Sequence, residues 1–183
     1  IDGFPVTSAS NAISDAIDGV TINLASARPG TMLDLSIEYD PEGAKTSVAG
    51  FVTAYNKLID TVTELTRYNV DTRDAAPLLG DATVRGIRDQ LRREISSARD
   101  SGIFTTLASI GVTTATTGKL VVDATKLGDA IDADFDAVST LFSGTGGLAT
   151  RLEDIAEATL GSGSTITTRE DALKSTLKTI TSQ

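Results

Sequence analysis

The chain has 183 residues, 40% of them apolar, which suits one folded domain plus part of another and is too apolar for a disordered chain. Acidic side chains outnumber basic ones by 25 to 16, and a net charge of −9 argues against binding to nucleic acid or anionic lipid. Cys and His are both absent, which removes disulfides, thiol nucleophiles, thiolate and imidazole metal ligands and triad bases.

No run of about 18 apolar residues exists, so no membrane insertion is expected. The 27 Thr and 16 Ser, against three Tyr, five Phe and no Trp, suit an exported assembly protein better than an enzyme with an aromatic pocket. The chain starts at Ile1 without Met and without a secretory signal peptide, and it stops at Gln183 inside a helical pattern. It reads as an internal fragment.

Residues 1–40 carry the pattern of the edge of a β domain. Ser10 is placed to cap a helical turn over Asn11–Ile17 that ends at Gly19. Val20, Ile22 and Leu24 then alternate with polar residues, as do Leu33, Leu35 and Ile37, which predicts two half-buried strands separated by a turn at Arg28-Pro29-Gly30. So few strands need more sheet, expected upstream of Ile1.

From Pro41 the pattern becomes helical. Val48, Phe51, Val52, Tyr55, Leu58, Ile59, Val62 and Leu65 step by three and four, predicting an amphipathic helix over 42–68 with Phe51, Tyr55, Leu58, Ile59 and Val62 buried. Positions 48, 52, 55, 59 and 62 also form a short coiled-coil seam. A polar loop is expected over Asp71–Pro77. Asp81 can cap a second helix with the stripe Val84, Ile87, Leu91 and Ile95, ending near Ala98.

Ser109–Thr113 and Lys119–Val122 read as a β-hairpin near 109–122 with Gly118 in its turn. Asp123 and Asp134 can each cap a further helix. Another follows Gly146-Gly147, and after the break Gly161-Ser162-Gly163-Ser164 a last one runs through Ile166, Leu173, Leu177 and Ile180. The expected class is α+β: a β-rich remnant over 1–40, then a mainly helical bundle over 41–183 with a β-hairpin.

Chemical motifs fail. An EF-hand loop from Asp132 would place Asp134 and Asp136 correctly, but it needs Gly and Glu where the chain has Ala137 and Ser143. Asp123 and Asp134 are better read as helix caps. Ser175 and Lys178 match S-x-x-K, yet no companion triplet follows and about half a match is expected by chance. Gly144-Thr145-Gly146-Gly147 lacks the lysine and the strand of a phosphate loop. No enzyme, metal or cofactor is expected.

The second helix is locally basic, with Arg85, Arg88, Arg92, Arg93 and Arg99. Arg85, Arg88 and Arg92 share one face opposite the apolar stripe. One reading is a solvated face with ion pairs to Asp89 and Glu94. The other is a subunit interface for an acidic neighbour, Asp129, Asp132 and Asp136 among its candidates, since Arg is favoured at interfaces.

Five pieces in order resemble one family. Ile1-Asp2-Gly3, Ser8–Asn11 and Asp15–Thr21 resemble D-G … S-x-S-N-x-I-x-D-A-I-x-G-V-T of the bacterial flagellar filament cap family, also called hook-associated protein 2. Phe51-Val52-Thr53-Ala54-Tyr55-Asn56 matches its F-V-x-x-Y-N, and Pro77–Asp81 its P-L-x-G-D. Leu107–Gly111, with Gly118-Lys119-Leu120 and Asp123, matches its L-x-x-I-G … G-x-L-x-x-D, and Leu141–Gly144 continues the match.

The resemblance implies a structural cap, a homo-oligomeric ring at the distal filament tip that promotes flagellin assembly and meets hook-filament junction proteins. It implies an extracellular location, reached through the flagellar export apparatus without a cleaved signal. It also implies that 1–40 ends a β-rich head domain and 41–183 forms much of a helical leg domain lacking one wall of its bundle. An alternative from another class is an adhesin binding host mucin or glycans through the exposed head.

Overall fold

A computed structural model describes residues 5–17, 20–36, 38–98, 102–144 and 146–182. The chain divides into two compact units, Ile1–Glu38 and Tyr39–Gln183. In the first, β1 (Ala12–Ile17) pairs antiparallel with β2 (Val20–Asn23), Ile13 opposite Ile22, with a register break before Ile17 meets Val20.

Two expectations fail in this unit. Residues 12–17 form a strand, not a helical turn. Ile13 and Ile17 fit both periods, and β2 offers the backbone partners that decide between them. Ser10 makes only a tight local loop, its Oγ accepting from the Ala12 N–H at 3.3 Å and donating to the Ala12 carbonyl at 2.8 Å. The proposed stop at Gly19 lies outside the described residues.

The second expected strand is also absent among the described residues. Residues 32–36 join no ladder, and Leu33 and Leu35 are 76% and 63% exposed. Alternation without a partner strand leaves the backbone to water. Ile37 lies outside the described residues. The turn at Arg28-Pro29-Gly30 is present, with the Thr31 N–H on the Arg28 carbonyl at 3.2 Å.

The second unit begins with α1 (Pro41–Thr66). Pro41 suits the first helical position, and the Asp40 carboxylate accepts the Gly43 N–H at 2.8 Å. Val48, Val52, Tyr55 and Ile59 are buried. Phe51 is only half-buried and Leu58 is 42% exposed, because that flank of α1 borders an open cleft, and Val62 is half-buried beside a second cleft. The helix stops before Tyr68 since β3 (Tyr68–Asn69) pairs with β4 (Asp74–Ala75), a small ribbon where a plain loop was expected.

Asp81 caps α2 (Ala82–Ser96) by accepting the Thr83 and Val84 N–H groups at 2.9 and 3.1 Å. The hairpin consists of β5 (Val112–Thr114) and β6 (Leu120–Val122). Its first strand starts later than expected, because Ser109 and Ile110 belong to a 3-10 turn, Leu107–Ile110, closed by reciprocal Thr106 and Ser109 bonds. Asp123 and Asp134 do cap α3 (Ala124–Ala133) and α4 (Phe135–Phe142). Then come α5 (Leu148–Leu160) and α6 (Thr165–Thr181).

Ile110, Val112, Leu127, Leu141 and Leu148 form the driest part of the core, where α1 packs on β6 and α3 and α5 packs on α2 and α4. The fold is α+β with helices dominant, as the sequence implies. No described helix is long and apolar enough to cross a membrane.

Candidate assembly surface

The motif pieces of the second unit meet at α1. Asn56 pairs with the backbone of Leu120 in both directions: its Nδ2 donates to the Leu120 carbonyl at 2.9 Å and its Oδ1 accepts the Leu120 N–H at 2.7 Å. One turn on, Asp60 binds Lys119 Nζ at 2.6 Å, so the hairpin is held to α1 twice. At its other end the Asp123 N–H reaches the Gly111 carbonyl at 2.9 Å. Gly111 has φ +86°, and a Cβ there would meet Lys126 Cβ at 2.8 Å and the Asp123 carbonyl at 3.0 Å. Only glycine fits.

On α2, Arg85 and Arg92 are exposed and Arg88 is half-buried. Arg85 and Arg88 line one cleft of about 280 Å³ with Val62, Thr66 and Leu79. Arg88 reaches Asp89 at 3.6 Å, too long for a hydrogen bond and worth little at that exposure. Arg151 of α5 pairs with Glu94. Arg92 lies near Tyr55: burial raises the phenol's pKa and the Arg92 charge opposes the rise. Arg93 sits in the last turn of α2, where the helix dipole favours it, and Arg99 lies outside the described residues.

Asp129, Asp132 and Asp136 are exposed on α3 and α4, and Asp136 already accepts the Tyr39 hydroxyl at 3.0 Å. Among the described residues no cluster of three or more carboxylates is placed to hold a metal. Ser175 and Lys178 are both exposed on α6.

Two apolar surfaces join the charged one. A cleft of about 390 Å³ opens between α1, α2 and α5, lined by Phe51, Leu58, Ile87, Leu152 and Leu160 and by Tyr55, whose buried hydroxyl has no partner among the described residues. On α6, which buries no side chain, Leu173, Leu177 and Ile180 are each more than 60% exposed at coiled-coil spacing. α6 packs along α5, and Arg169 ties it to α2: its Nη1 binds the α2 cap Asp81 at 2.6 Å and Thr83 Oγ1 at 3.4 Å. No sequence pattern links residues 86 apart, so this contact was not legible beforehand.

The family model described as flagellar hook-associated protein 2 C-terminus matches residues 1–183. The chain belongs to this family. It is 36% identical over its whole length to the B-type flagellar hook-associated protein 2 of Pseudomonas aeruginosa and covers 40% of that protein. Against the flagellar hook-associated protein 2 of Salmonella typhimurium it is 31% identical, again over its whole length, and covers 41%. The crystal structure of the flagellar cap protein FliD D1-D2-D3 domains from Escherichia coli is similar over 91% of this chain and 46% of that one, with a TM-score of 0.73 and 35% identity. The chain thus spans less than half the length of these relatives.

Proposed function

We propose that this chain is part of a structural cap at the distal end of a bacterial flagellar filament, where copies form a ring that promotes flagellin assembly. The observation that carries the reading is the family match along the whole chain together with the likeness to a cap structure at 35% identity. The charged and apolar surfaces of α2, α5 and α6 fit a protein that works by contact with other chains and not by catalysis. On the same reading residues 1–40 end a β-rich head domain, 41–183 form most of a leg domain, the cap leaves the cell through the flagellar export apparatus, and its neighbours are flagellin and the hook-filament junction proteins.

The candidate subunit contact is Arg85, Arg88 and Arg92 against exposed carboxylates such as Asp129 and Asp132 of an adjacent copy. Exposed pairs contribute about 0–1 kcal/mol each, so they set register more than affinity. The test is complementation: a strain made non-motile by loss of its cap regains swimming when given the longer protein that carries this chain, and fails to when this chain is deleted from it. Swimming that does not depend on this chain overturns the reading.

A further inference from the structure

Two helix starts lie side by side in the second unit. Asp40 caps α1 through the Gly43 N–H at 2.8 Å, and Asp134 caps α4 through the Ala137 N–H at 2.8 Å. Tyr39, the residue before the first cap, spans them. Its ring stacks on Phe135, the first residue of α4, with centroids 4.4 Å apart and planes 20° apart. Its hydroxyl donates to Asp136 at 3.0 Å, across 97 positions of sequence. Offset aromatic stacking and a hydrogen bond to a carboxylate act on one side chain at once.

Among the described residues of 25–38 the only backbone hydrogen bond is the turn from the Thr31 N–H to the Arg28 carbonyl, and all are exposed. We infer that Tyr39 is a latch, tying the first turn of α1 to the first turn of α4 and so fixing the point at which the preceding segment leaves the helical unit. Gly43 is part of the device. A Cβ there would meet the Asp40 carboxylate, so any other residue at that position would require the capping side chain to shift.

Amide exchange on the whole chain tests this, read at Ala44 and Val138, whose N–H groups bond to the Asp40 and Asp134 carbonyls. Tyr39→Ala should speed exchange at both amides about tenfold while leaving the β5–β6 amides unchanged. Tyr39→Phe, which keeps the stack and loses the hydrogen bond, should fall between. Tyr68→Ala, at another exposed tyrosine, should change neither amide. Exchange in Tyr39→Ala equal to the parent at Ala44 and Val138 would overturn the inference. So would a rise spread evenly into β5 and β6, which would make Tyr39 a general stability residue.

Discussion

Asn56 of α1 satisfies both the N–H and the carbonyl of Leu120, so one side chain completes the backbone pairing of β6 on the side away from β5. A two-stranded ribbon is marginal by itself, and here a helix supplies the missing third partner. Asn is suited because its amide carries a donor and an acceptor side by side.

Replacing Asn56 with Ala leaves two part-buried groups of Leu120 unpaired. The expected cost is about 1–3 kcal/mol, read as a lower urea midpoint at unchanged slope. Asn56→Asp should cost more, since a carboxylate would face the Leu120 carbonyl. An unchanged midpoint in both would mean that water replaces the amide freely.

Gly111 and Gly118 both have positive φ, +86° and +84°, yet they should respond differently. Gly118 has open space around its Cα, so Gly118→Ala should cost only the left-handed backbone penalty, about 1–2 kcal/mol. Gly111→Ala adds a collision with Lys126 Cβ and the Asp123 carbonyl and should exceed Gly118→Ala by at least about 1 kcal/mol in urea unfolding.

The contrast shows how far the sequence reads. The glycine after Leu107–Ile110 was visible as part of a motif, but the α3 backbone against it is a tertiary fact. The caps Asp81, Asp123 and Asp134 were legible because a cap acts within three residues. Ion pairs such as Arg151 with Glu94 were not, because nothing local distinguishes Arg151 as the partner. Residues 11–17 misled for a related reason: isoleucines four apart satisfy either period, and only the β2 backbone selects the strand. For the candidate surface, the sharing of one face by Arg85, Arg88 and Arg92 follows from spacing. The open apolar cleft beside α2 depends on where α5 packs.

Acid should loosen α6. The Asp81 carboxyl is held below its ordinary value, first by the Val84 N–H and then by Arg169. A carboxyl with a depressed folded pKa contributes stability that is full above its unfolded value, near pH 4, and lost as pH falls through the folded value. Stability of the parent should therefore drop more steeply below about pH 4 than that of Asp81→Asn, which keeps a cap but no charge. Arg169→Met should reduce the same slope. Parallel curves for all three proteins would show that the pair adds nothing to the acid response.

If copies assemble into the proposed ring, salt should act on that assembly and not on the fold. Exposed charge contacts are screened over about 8–10 Å at physiological ionic strength. In the longer protein, Arg85, Arg88 and Arg92 replaced together by Ala should shift sedimentation toward smaller species, and the parent should follow as salt rises. The unfolding free energy of the monomer from urea titration should stay within about 0.5 kcal/mol of the parent. Identical sedimentation at every salt would make the stripe a solvated face.

A cap occupies the distal end of the filament, and labelling tests that location. Gold-conjugated antibodies raised against this chain, applied to intact flagella under the electron microscope, should mark the distal end of each filament and nothing along its length. Label distributed along the filament, or confined to the cell body, would contradict the account.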